Sequence, residues 1–412
     1  MSAAFCDVVV IGGGQAGLAA SWQLTQRGIP HVVLEQHEIA YSWKRERWDS
    51  FCLVTPNWQC TLPGHPYAGG DPDGFMPRDE IVRYVETYAA SFAAPVRTGV
   101  RVVSLRPTDT GYTLHTSVGT IAARQVVIAT GGYHDPIIPP CATALAPDIM
   151  QIHSSHYRNP TSMPEGATLV VGTGQSGCQI AEDLHLVGRE VHLCVGEAPR
   201  VARRYRGRDV VEWLHLMGYY DMPVEDHPLR EGVRDKTNHY VTGRDGGRDI
   251  DLRARALEGM QLHGRLRTIE DSRISFGDDL ARNLDAADAV DAGIKCRIDG
   301  WIAKSGIEAP TEPPYRPPWT PPPESLGAPP TDLACSRVAS VVWCIGYRMN
   351  FAWIEADVFD ARGAPRHQRG VTAQPGLYFL GLPWLHSWGS GRFSGIARDS
   401  EHVAEVIVRS LG

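Results

Sequence analysis

The chain has 412 residues, of which 43% are hydrophobic and 21% are charged, and its formal net charge is −7 at pH 7. This length accommodates two domains or more, and the acidic balance argues against a general electrostatic attraction to nucleic acid. No apolar run reaches the ~18 residues of a membrane span, and neither a signal-peptide pattern nor a metal-ligand spacing of the nine cysteines is present in the sequence. We therefore expect a cytoplasmic enzyme with reduced thiols and without a metal, a membrane contact or a nucleic-acid partner.

The chain opens with a predicted strand, a glycine-rich turn and a helix. Apolar residues 8–11 predict a buried strand, and the turn after it has G-x-G-x-x-G spacing. Without side chains, the backbone amides of such a turn can approach a pyrophosphate at the helix N-terminus. The next strand, 31–35, ends in an acid that can accept hydrogen bonds from the ribose hydroxyls. The predicted dinucleotide-binding residues here are Gly12, Gly14, Gln15, Ala16, Gly17, Glu35 and Gln36.

An aromatic segment, residues 42–56, follows this unit. It contains Trp43, Arg47, Trp48 and Leu53. Aromatic and aliphatic side chains can wall an isoalloxazine ring while an arginine supplies donors, which favours FAD in the first site. The alternative is that the two tryptophans are ordinary core aromatics.

Three later segments are predicted to return to the flavin. The apolar strand near 126–128 ends in Ala-Thr130-Gly131, and a similar strand near 341–347 ends in Cys-Ile-Gly346-Tyr347. Small residues at these ends let the chain pass close to a nucleotide. A third strand, 376–382, contains Gly381, and we expect the helix from 395 onward to direct its N-terminus at the pyrimidine edge of the flavin.

A second turn of the same design lies about 160 residues after the first and follows apolar residues 169–171. The position equivalent to Glu35 is Val195, and a cluster of arginines comes shortly after it. A 2′-phosphate would be repelled by an acid and bound by guanidinium groups, so the second site is predicted to take NADPH. The alternative is a solvated basic loop. The predicted residues are Gly172, Gly174, Gln175, Ser176, Gly177, Arg200, Arg203 and Arg204.

These elements predict an α/β protein with two Rossmann-like, dinucleotide-binding domains of the glutathione-reductase type. We assign residues 1–160 and 335–412 to an FAD domain and 161–334 to an NADPH domain. The latter includes an insertion, 209–332, expected to cap the active site, with one helix at 279–292 and another up to 303. Its proline-rich tract, 310–330, is interpreted as a rigid surface loop, with a partner-binding ligand as the alternative.

Segments 42–56, 75–78 and 126–133 resemble class B flavin-dependent monooxygenases of the flavin-containing and YUCCA-like type, and 47–63 is similar to a bacterial subgroup associated with nitrilase gene clusters. The linker 150–157 matches the second half of the family fingerprint through His153 and Tyr157, whereas Pro147 and Ile149 depart from its first half. The resemblance implies that His153 and Tyr157 position domains and cofactors. The alternative is a linker histidine without any cofactor contact.

The resemblance also implies a reaction. NADPH would reduce FAD, O2 would form a C4a-hydroperoxyflavin, and this would oxygenate a nucleophilic nitrogen, or less readily a sulfur, of a small organic substrate. Asn57 or Gln59 lies near the place where family members hold a peroxide-stabilising asparagine, although either can be a turn residue.

Four other activities remain open. These are an NADPH-dependent reductase or dehydrogenase without a stable peroxyflavin, a Baeyer–Villiger oxygenase, a non-catalytic redox sensor, and a disulfide reductase that would use Cys52 and Cys60. The oligomeric state is also open, and a homodimer is one candidate.

Overall fold

The computed structural model describes residues 4–322 and 330–411. Its helices are α1 (Gln15–Gln26), α2 (Tyr41–Arg45), α3 (Arg78–Ser91), α4 (Gln175–Leu186), α5 (Val210–Leu216), α6 (Leu252–Leu257), α7 (Leu280–Ser305) and α8 (Ile396–Leu411). Its strands are β1 (Ala4–Ile11), β2 (His31–Leu34), β3 (Thr61–Leu62), β4 (His65–Pro66), β5 (Val96–Arg97), β6 (Val102–Thr108), β7 (Gly111–Thr116), β8 (Gly119–Ile128), β9 (Asp135–Pro136), β10 (Met150–His153), β11 (Thr168–Val171), β12 (Val191–Cys194), β13 (Arg204–Tyr205), β14 (Arg208–Asp209), β15 (Gln261–His263), β16 (Leu266–Glu270), β17 (Arg273–Phe276), β18 (Asp332–Ala334), β19 (Ser340–Trp343), β20 (Tyr347–Arg348) and β21 (Leu377–Phe379). None of these helices combines the length and apolar character that a membrane crossing requires.

The first sheet has the strand order β5-β2-β1-β8-β7-β6, with β21 beside the C-terminal half of β8. Strand β8 pairs in antiparallel orientation with β7 and in parallel with β1 and β21. Along β1, Val8 and Val10 face one core and Val9 and Ile11 face another, as the alternation of side chains in a strand requires. The first glycine turn directly follows β1, so it lies at the carboxyl edge of this sheet, beside a central and buried strand.

The second sheet is parallel and has the order β10-β19-β11-β12-β15. Val170 faces a core that includes helix α4, while Leu169 and Val171 face a core under the antiparallel sheet β16-β17-β18. In this sheet too, a glycine turn follows the carboxyl end of a central strand. The two sheets confirm the predicted α/β fold with two dinucleotide-binding units.

The predicted domain boundaries are wrong at two strands. The prediction assigns Met150–His153 to the FAD domain at 1–160 and Ser340–Trp343 to the FAD domain at 335–412, but the two strands pair with each other in the second sheet. The second unit therefore begins near residue 150 and ends near residue 346. The short pair β9-β20 lies at the two chain crossings between the units. The pairing of two strands that lie this far apart along the chain depends on tertiary packing, which cannot be predicted from the local sequence of either strand.

The predicted insertion 209–332 is also not continuous. Gln261–His263 is an edge strand of the second sheet, so the additional chain falls into two parts, 197–260 and 277–331. The two helices expected at 279–292 and up to 303 form one helix, Leu280–Ser305, which ends at Gly306 with φ +65°. Its sequence has no proline, and Gly293 is accommodated within it. Of the proline-rich tract, residues 323–329 lie outside the described residues.

Candidate active site

The first glycine turn has no room for side chains on its inner side. Gly12 adopts φ +113°, and a Cβ added there would lie 2.5 Å from the carbonyl oxygen of Ala129. A Cβ at Gly17 would lie 1.8 Å from the carbonyl oxygen of Gly12. Beside Gly14 the space is open, and no described side chain caps helix α1. The amides of its first turn are therefore available to a diphosphate, and the turn fits the ADP moiety of FAD.

Glu35 is held at the end of β2 against this turn. One carboxylate oxygen accepts a hydrogen bond from the amide of Gly13 at 2.6 Å, and the other accepts one from the amide of His37 at 2.8 Å. Each oxygen keeps a lone pair, so a ribose can still donate to the fixed carboxylate. Gln36 is exposed beside it. The geometry supports the predicted role of Glu35.

Gln15 joins the aromatic segment to the C-terminal loop. The indole Nε1 of Trp43 donates to Gln15 Oε1 at 3.1 Å, and Gln15 Nε2 donates to the carbonyl oxygen of Gly391 at 3.1 Å. The Trp43 ring stacks on Phe393 at 5.7 Å, and the guanidinium of Arg47 lies 5.2 Å from the Trp43 ring centre. Trp43 and Arg47 are therefore fixed next to the first glycine turn, where their predicted flavin contact requires them.

Trp48 has a different environment from Trp43. It is 4% exposed and belongs to the core of the second unit, where its ring meets Phe51 edge-on at 5.1 Å. This favours the core-aromatic alternative for Trp48. Leu53 is buried in the first core and its amide donates to the carbonyl oxygen of Met76 at 2.9 Å.

Two of the three returning segments lie at the first glycine turn, whereas the segment after β19 lies at the second turn instead. Thr130 and Gly131 follow Ala129 beside Gly12, and the hydroxyl of Thr130 lies 3.2 Å from His134 Nε2. Gly346, with φ +89°, and Tyr347 occupy the corresponding place after β19. The Cβ of Ala16 lies 2.6 Å from the place that a Cβ on Gly381 would take. Only glycine lets this C-terminal segment approach α1 so closely.

The second glycine turn repeats the first. Gly172 adopts φ +104°, and a Cβ added there would lie 2.7 Å from the carbonyl oxygen of Cys344, while a Cβ on Gly177 would lie 1.8 Å from the carbonyl oxygen of Gly172. Helix α4 also lacks a cap among the described side chains. A Cβ added at Gly174 would lie 3.8 Å from the Thr237 side chain, and Gln175 Nε2 donates to the carbonyl oxygen of Val241. Ser176 follows in the first turn of α4. This turn likewise fits a diphosphate.

The structure corrects the role of two arginines in the predicted phosphate cluster. Arg203 is 2% exposed, is paired through two nitrogens with the Asp209 carboxylate and donates to the carbonyl oxygen of Val54 at 2.7 Å. Arg200 is 4% exposed and is paired with Asp288 and Asp291. Guanidinium groups that are this deeply buried and already paired with carboxylates are not accessible to a 2′-phosphate. Arg204 is exposed and remains the proposed phosphate ligand.

The linker residues are buried parts of a hydrogen-bonded junction. His153 Nε2 lies 3.1 Å from the carbonyl oxygen of Gly346, and burial lowers the pKa of His153. The Tyr157 hydroxyl donates to Asp183 at 2.7 Å, and the same carboxylate accepts from Ser50 and from Arg244. These contacts join the aromatic segment, the linker and α4. They support a positioning role for His153 and Tyr157 within the second unit.

Asn57 and Gln59 are both buried but differ in their bonding. Asn57 Nδ2 donates to the carbonyl oxygen of Asp71 at 2.9 Å, and its Oδ1 accepts from the amide of Met76 at 2.8 Å. The structure therefore makes Asn57 a loop-fixing residue, which is the turn alternative. Gln59 is 3% exposed, and its Oε1 has no hydrogen-bond partner among the described residues. An unsatisfied buried amide is costly unless a ligand or water completes it.

Sequence reasoning missed Arg392, which lies between the two glycine turns. Its Nη2 donates to Asn238 Oδ1 at 3.0 Å, its Nη1 donates to the carbonyl oxygen of Trp388, and its guanidinium lies 3.9 Å from the Trp388 ring centre. The glycines on either side of Ser390, just before the last helix, were a usable signal, because glycine-rich turns of this kind often approach a ligand.

Comparisons with known proteins agree with this architecture. The family described as pyridine nucleotide-disulphide oxidoreductase matches residues 9–215. An uncharacterized oxidoreductase, CzcO-like, of Geobacillus kaustophilus is 32% identical over 406 residues, which cover 98% of each chain. The indole-3-pyruvate monooxygenase YUCCA4 of rice is 30% identical over 194 residues, or 43% of this chain and 44% of the rice protein.

A solved structure has the same fold. The flavin-containing monooxygenase of Stenotrophomonas maltophilia superposes with a TM-score of 0.68 and 20% identity over 99% of this chain and 100% of that one. The chain therefore belongs to the pyridine nucleotide-disulphide oxidoreductase family; it is an enzyme of the oxidoreductase class, and the predicted resemblance to the class B flavin-dependent monooxygenases is confirmed.

Proposed function

We propose that the protein is a monooxygenase that transfers one atom of O2 to a nucleophilic nitrogen, or less readily a sulfur, of a small organic substrate. FAD and NADPH are its cofactors. The first glycine turn with Glu35 and Trp43 takes the FAD, and the second turn with Arg204 takes the NADPH. When bound, FAD accepts a hydride from NADPH and in its reduced form activates O2.

The observation that carries the proposal is the bonding of Gln15. Through Trp43 and Gly391 it connects the first helix N-terminus, the aromatic segment and the loop before α8. These are the three parts that must surround one flavin ring. The segment from Thr237 to Val241 lies against the second turn at Gly174 and Gln175, so this part of the additional chain covers the N-terminus of α4. Such a cover limits the access of water to the reacting groups.

The geometry separates the proposal from one competing function but not from a second. All nine cysteines are free thiols, and burial raises the pKa of Cys60 to about 12, which keeps it protonated and unreactive. A disulfide reductase based on Cys52 and Cys60 is therefore disfavoured. A reductase or dehydrogenase that transfers no oxygen would use the same two cofactor sites.

The test is to reduce the holoenzyme with NADPH and with NADH under anaerobic conditions and then to supply O2 with a panel of amines and sulfides. We expect faster flavin reduction by NADPH and an oxygenated product formed in proportion to the NADPH consumed. Quantitative hydrogen peroxide with every compound would instead support a reductase or oxidase. A protein that neither retains nor rebinds FAD would contradict the proposal altogether.

A further inference from the structure

Arg392 is a partly enclosed cation without an anionic partner. Within residues 4–322 and 330–411, no carboxylate pairs with its guanidinium, whose side-chain acceptor is the neutral amide of Asn238 at 3.0 Å. Burial lowers the pKa of the Arg392 guanidinium, and the titratable groups that act on it are the hydroxyls of Tyr133, Tyr219 and Tyr220. An arginine stays protonated in such a place, so its charge lacks a counter-ion.

The position of Arg392 is set by the two cofactor-binding units together. Its neighbour Gly391 accepts the hydrogen bond from Gln15, and its neighbour Phe393 stacks on Trp43. On the other side, Asn238 follows Thr237, which lies next to Gly174 of the second turn. The guanidinium therefore lies between the flavin-binding segment and the nicotinamide-dinucleotide turn. A substrate of the proposed reaction must occupy the same region.

One aromatic ring contacts this cation, and rings from a second segment pack beside it. Trp388 lies under the guanidinium at 3.9 Å, and Tyr220 packs on Trp388 with ring centres 4.3 Å apart. Tyr219 meets Trp384 edge-on at 6.3 Å. The two segments are docked by a bridge between Pro223 and Ser387 and by the ion pair of Arg398 with Asp221. Flat apolar walls and one uncompensated cation suit a ligand that has both a ring and an anionic group.

We propose that the substrate is an aromatic carboxylate and that Arg392 binds its carboxylate, displacing the amide oxygen of Asn238. This inference deepens the proposed function and rests on it, because the bound acid is a substrate only if the protein is a monooxygenase. The planar fork of arginine binds a carboxylate through two parallel hydrogen bonds, which the neutral Asn238 cannot match. The ring of the acid packs against Tyr220 and Trp388, which leaves the nucleophilic atom directed at the flavin segment.

The experiment uses two probes of nearly the same shape, of which only one is charged, para-methylthiobenzoate and para-methylthiobenzamide. Each is titrated into the oxidised holoenzyme without NADPH, and binding is followed by the change in flavin absorbance. We expect the acid to bind at least about tenfold more tightly than the amide, as a charge-assisted pair provides. Arg392→Met should abolish this preference while FAD content and NADP+ affinity stay unchanged. Arg392→Lys, which keeps the charge, should recover part of it.

Asn238→Asp is the matched second variant. It supplies the missing carboxylate to Arg392 from within the protein, so it should weaken binding of the acid and leave binding of the amide unaltered. Equal affinity of the wild type for both probes, or binding of neither, overturns the inference. An Arg392→Met protein that still prefers the acid also overturns the inference, as does one whose affinity for NADP+ falls while its affinity for the acid is unchanged. Because no turnover is involved, failure of oxygen transfer would refute the proposed function and not the acid site.

Discussion

Trp43 and Gln15 share a hydrogen bond of 3.1 Å between the indole Nε1 and the amide Oε1, although 28 residues separate them. The same glutamine donates through Nε2 to Gly391, 376 residues further along the chain. One side chain at the N-terminus of α1 thus holds two distant segments in place beside the first glycine turn.

Gln15→Leu should therefore weaken FAD retention. It removes two hydrogen bonds that position the aromatic segment and the C-terminal loop, each with a net contribution of about 1 kcal/mol, so the Kd for FAD should rise about tenfold or more. The ratio of FAD to protein after dialysis measures this. Gln175→Leu, at the equivalent place in the second turn, is the control, since it should leave FAD content unchanged. Equal FAD loss in both variants would refute the assignment of the turns.

Arg203 and Arg204 are neighbours with opposite expected phenotypes. Arg203→Ala leaves the carboxylate of Asp209 without its buried partner, which should cost about 3–5 kcal/mol of unfolding free energy. Arg204→Ala, at an exposed position of the hairpin β13-β14, should change stability by less than about 0.5 kcal/mol and raise the KM for NADPH but not for NADH. Urea unfolding and steady-state kinetics separate these effects. If Arg204→Ala impairs both nucleotides equally, the exposed arginine does not bind the 2′-phosphate.

Asn57 and Gln59 form a similar pair within one short turn. Asn57→Leu breaks the bonds to Asp71 and Met76 and should destabilise the protein by about 1–3 kcal/mol. Gln59→Leu removes an amide oxygen that has no partner among the described residues, so stability should be kept, while the fraction of NADPH oxidation that yields hydrogen peroxide should rise. Peroxide and product are assayed together. A Gln59→Leu enzyme with unchanged coupling would exclude Gln59 from the reaction.

His192 and His263 predict a loss of stability in acid. His192 Nδ1 and His263 Nε2 lie 2.9 Å apart on adjacent strands of the second sheet, and burial together with His192 lowers the pKa of His263 to about 4. Since the native pKa is below that of the unfolded chain, the unfolded state binds more protons between about pH 6.5 and 4. Stability is therefore full above about pH 6.5 and falls by up to about 3 kcal/mol as the pH drops toward 4.

Urea unfolding at about pH 7.5 and at about pH 5, on either side of the ordinary histidine pKa, measures this slope. His263→Gln should reduce the difference between the two values, whereas His115→Gln, at an exposed position of strand β7, should preserve it. An equal slope in all three proteins would assign the acid sensitivity to other groups.

Much of the fold could be predicted because its signals are local. Apolar runs before the two glycine turns predict β1 and β11, and the spacing of glycines predicts the start of α1 and α4. The pairing of Met150–His153 with Ser340–Trp343 could not be predicted, because the apolar pattern that predicts a strand near 341–347 does not indicate which strand it pairs with.

The site shows the same division. Residue types identified Glu35, Trp43 and Gln15 because each belongs to a short motif with a chemical reason. The sequence around Arg200 and Arg203 has the same basic character as an anion site. The partner of Arg200, Asp288, lies 88 residues later and only the fold brings the two together, whereas the partner of Arg203, Asp209, lies six residues later across the hairpin β13-β14. Arg392 could not be identified from the sequence, because what distinguishes it is that the fold places no carboxylate among its described neighbours.

Oxygen transfer is tested most directly with an isotope. The holoenzyme is given NADPH, oxygen-18 gas and a panel of small amines and sulfides, and the products are analysed by mass spectrometry alongside a peroxide assay. We expect one labelled oxygen atom in the product of at least one compound, with NADPH consumed in proportion and NADH a poorer reductant. NADPH oxidation that yields only labelled hydrogen peroxide, with every compound recovered unchanged, would contradict a monooxygenase.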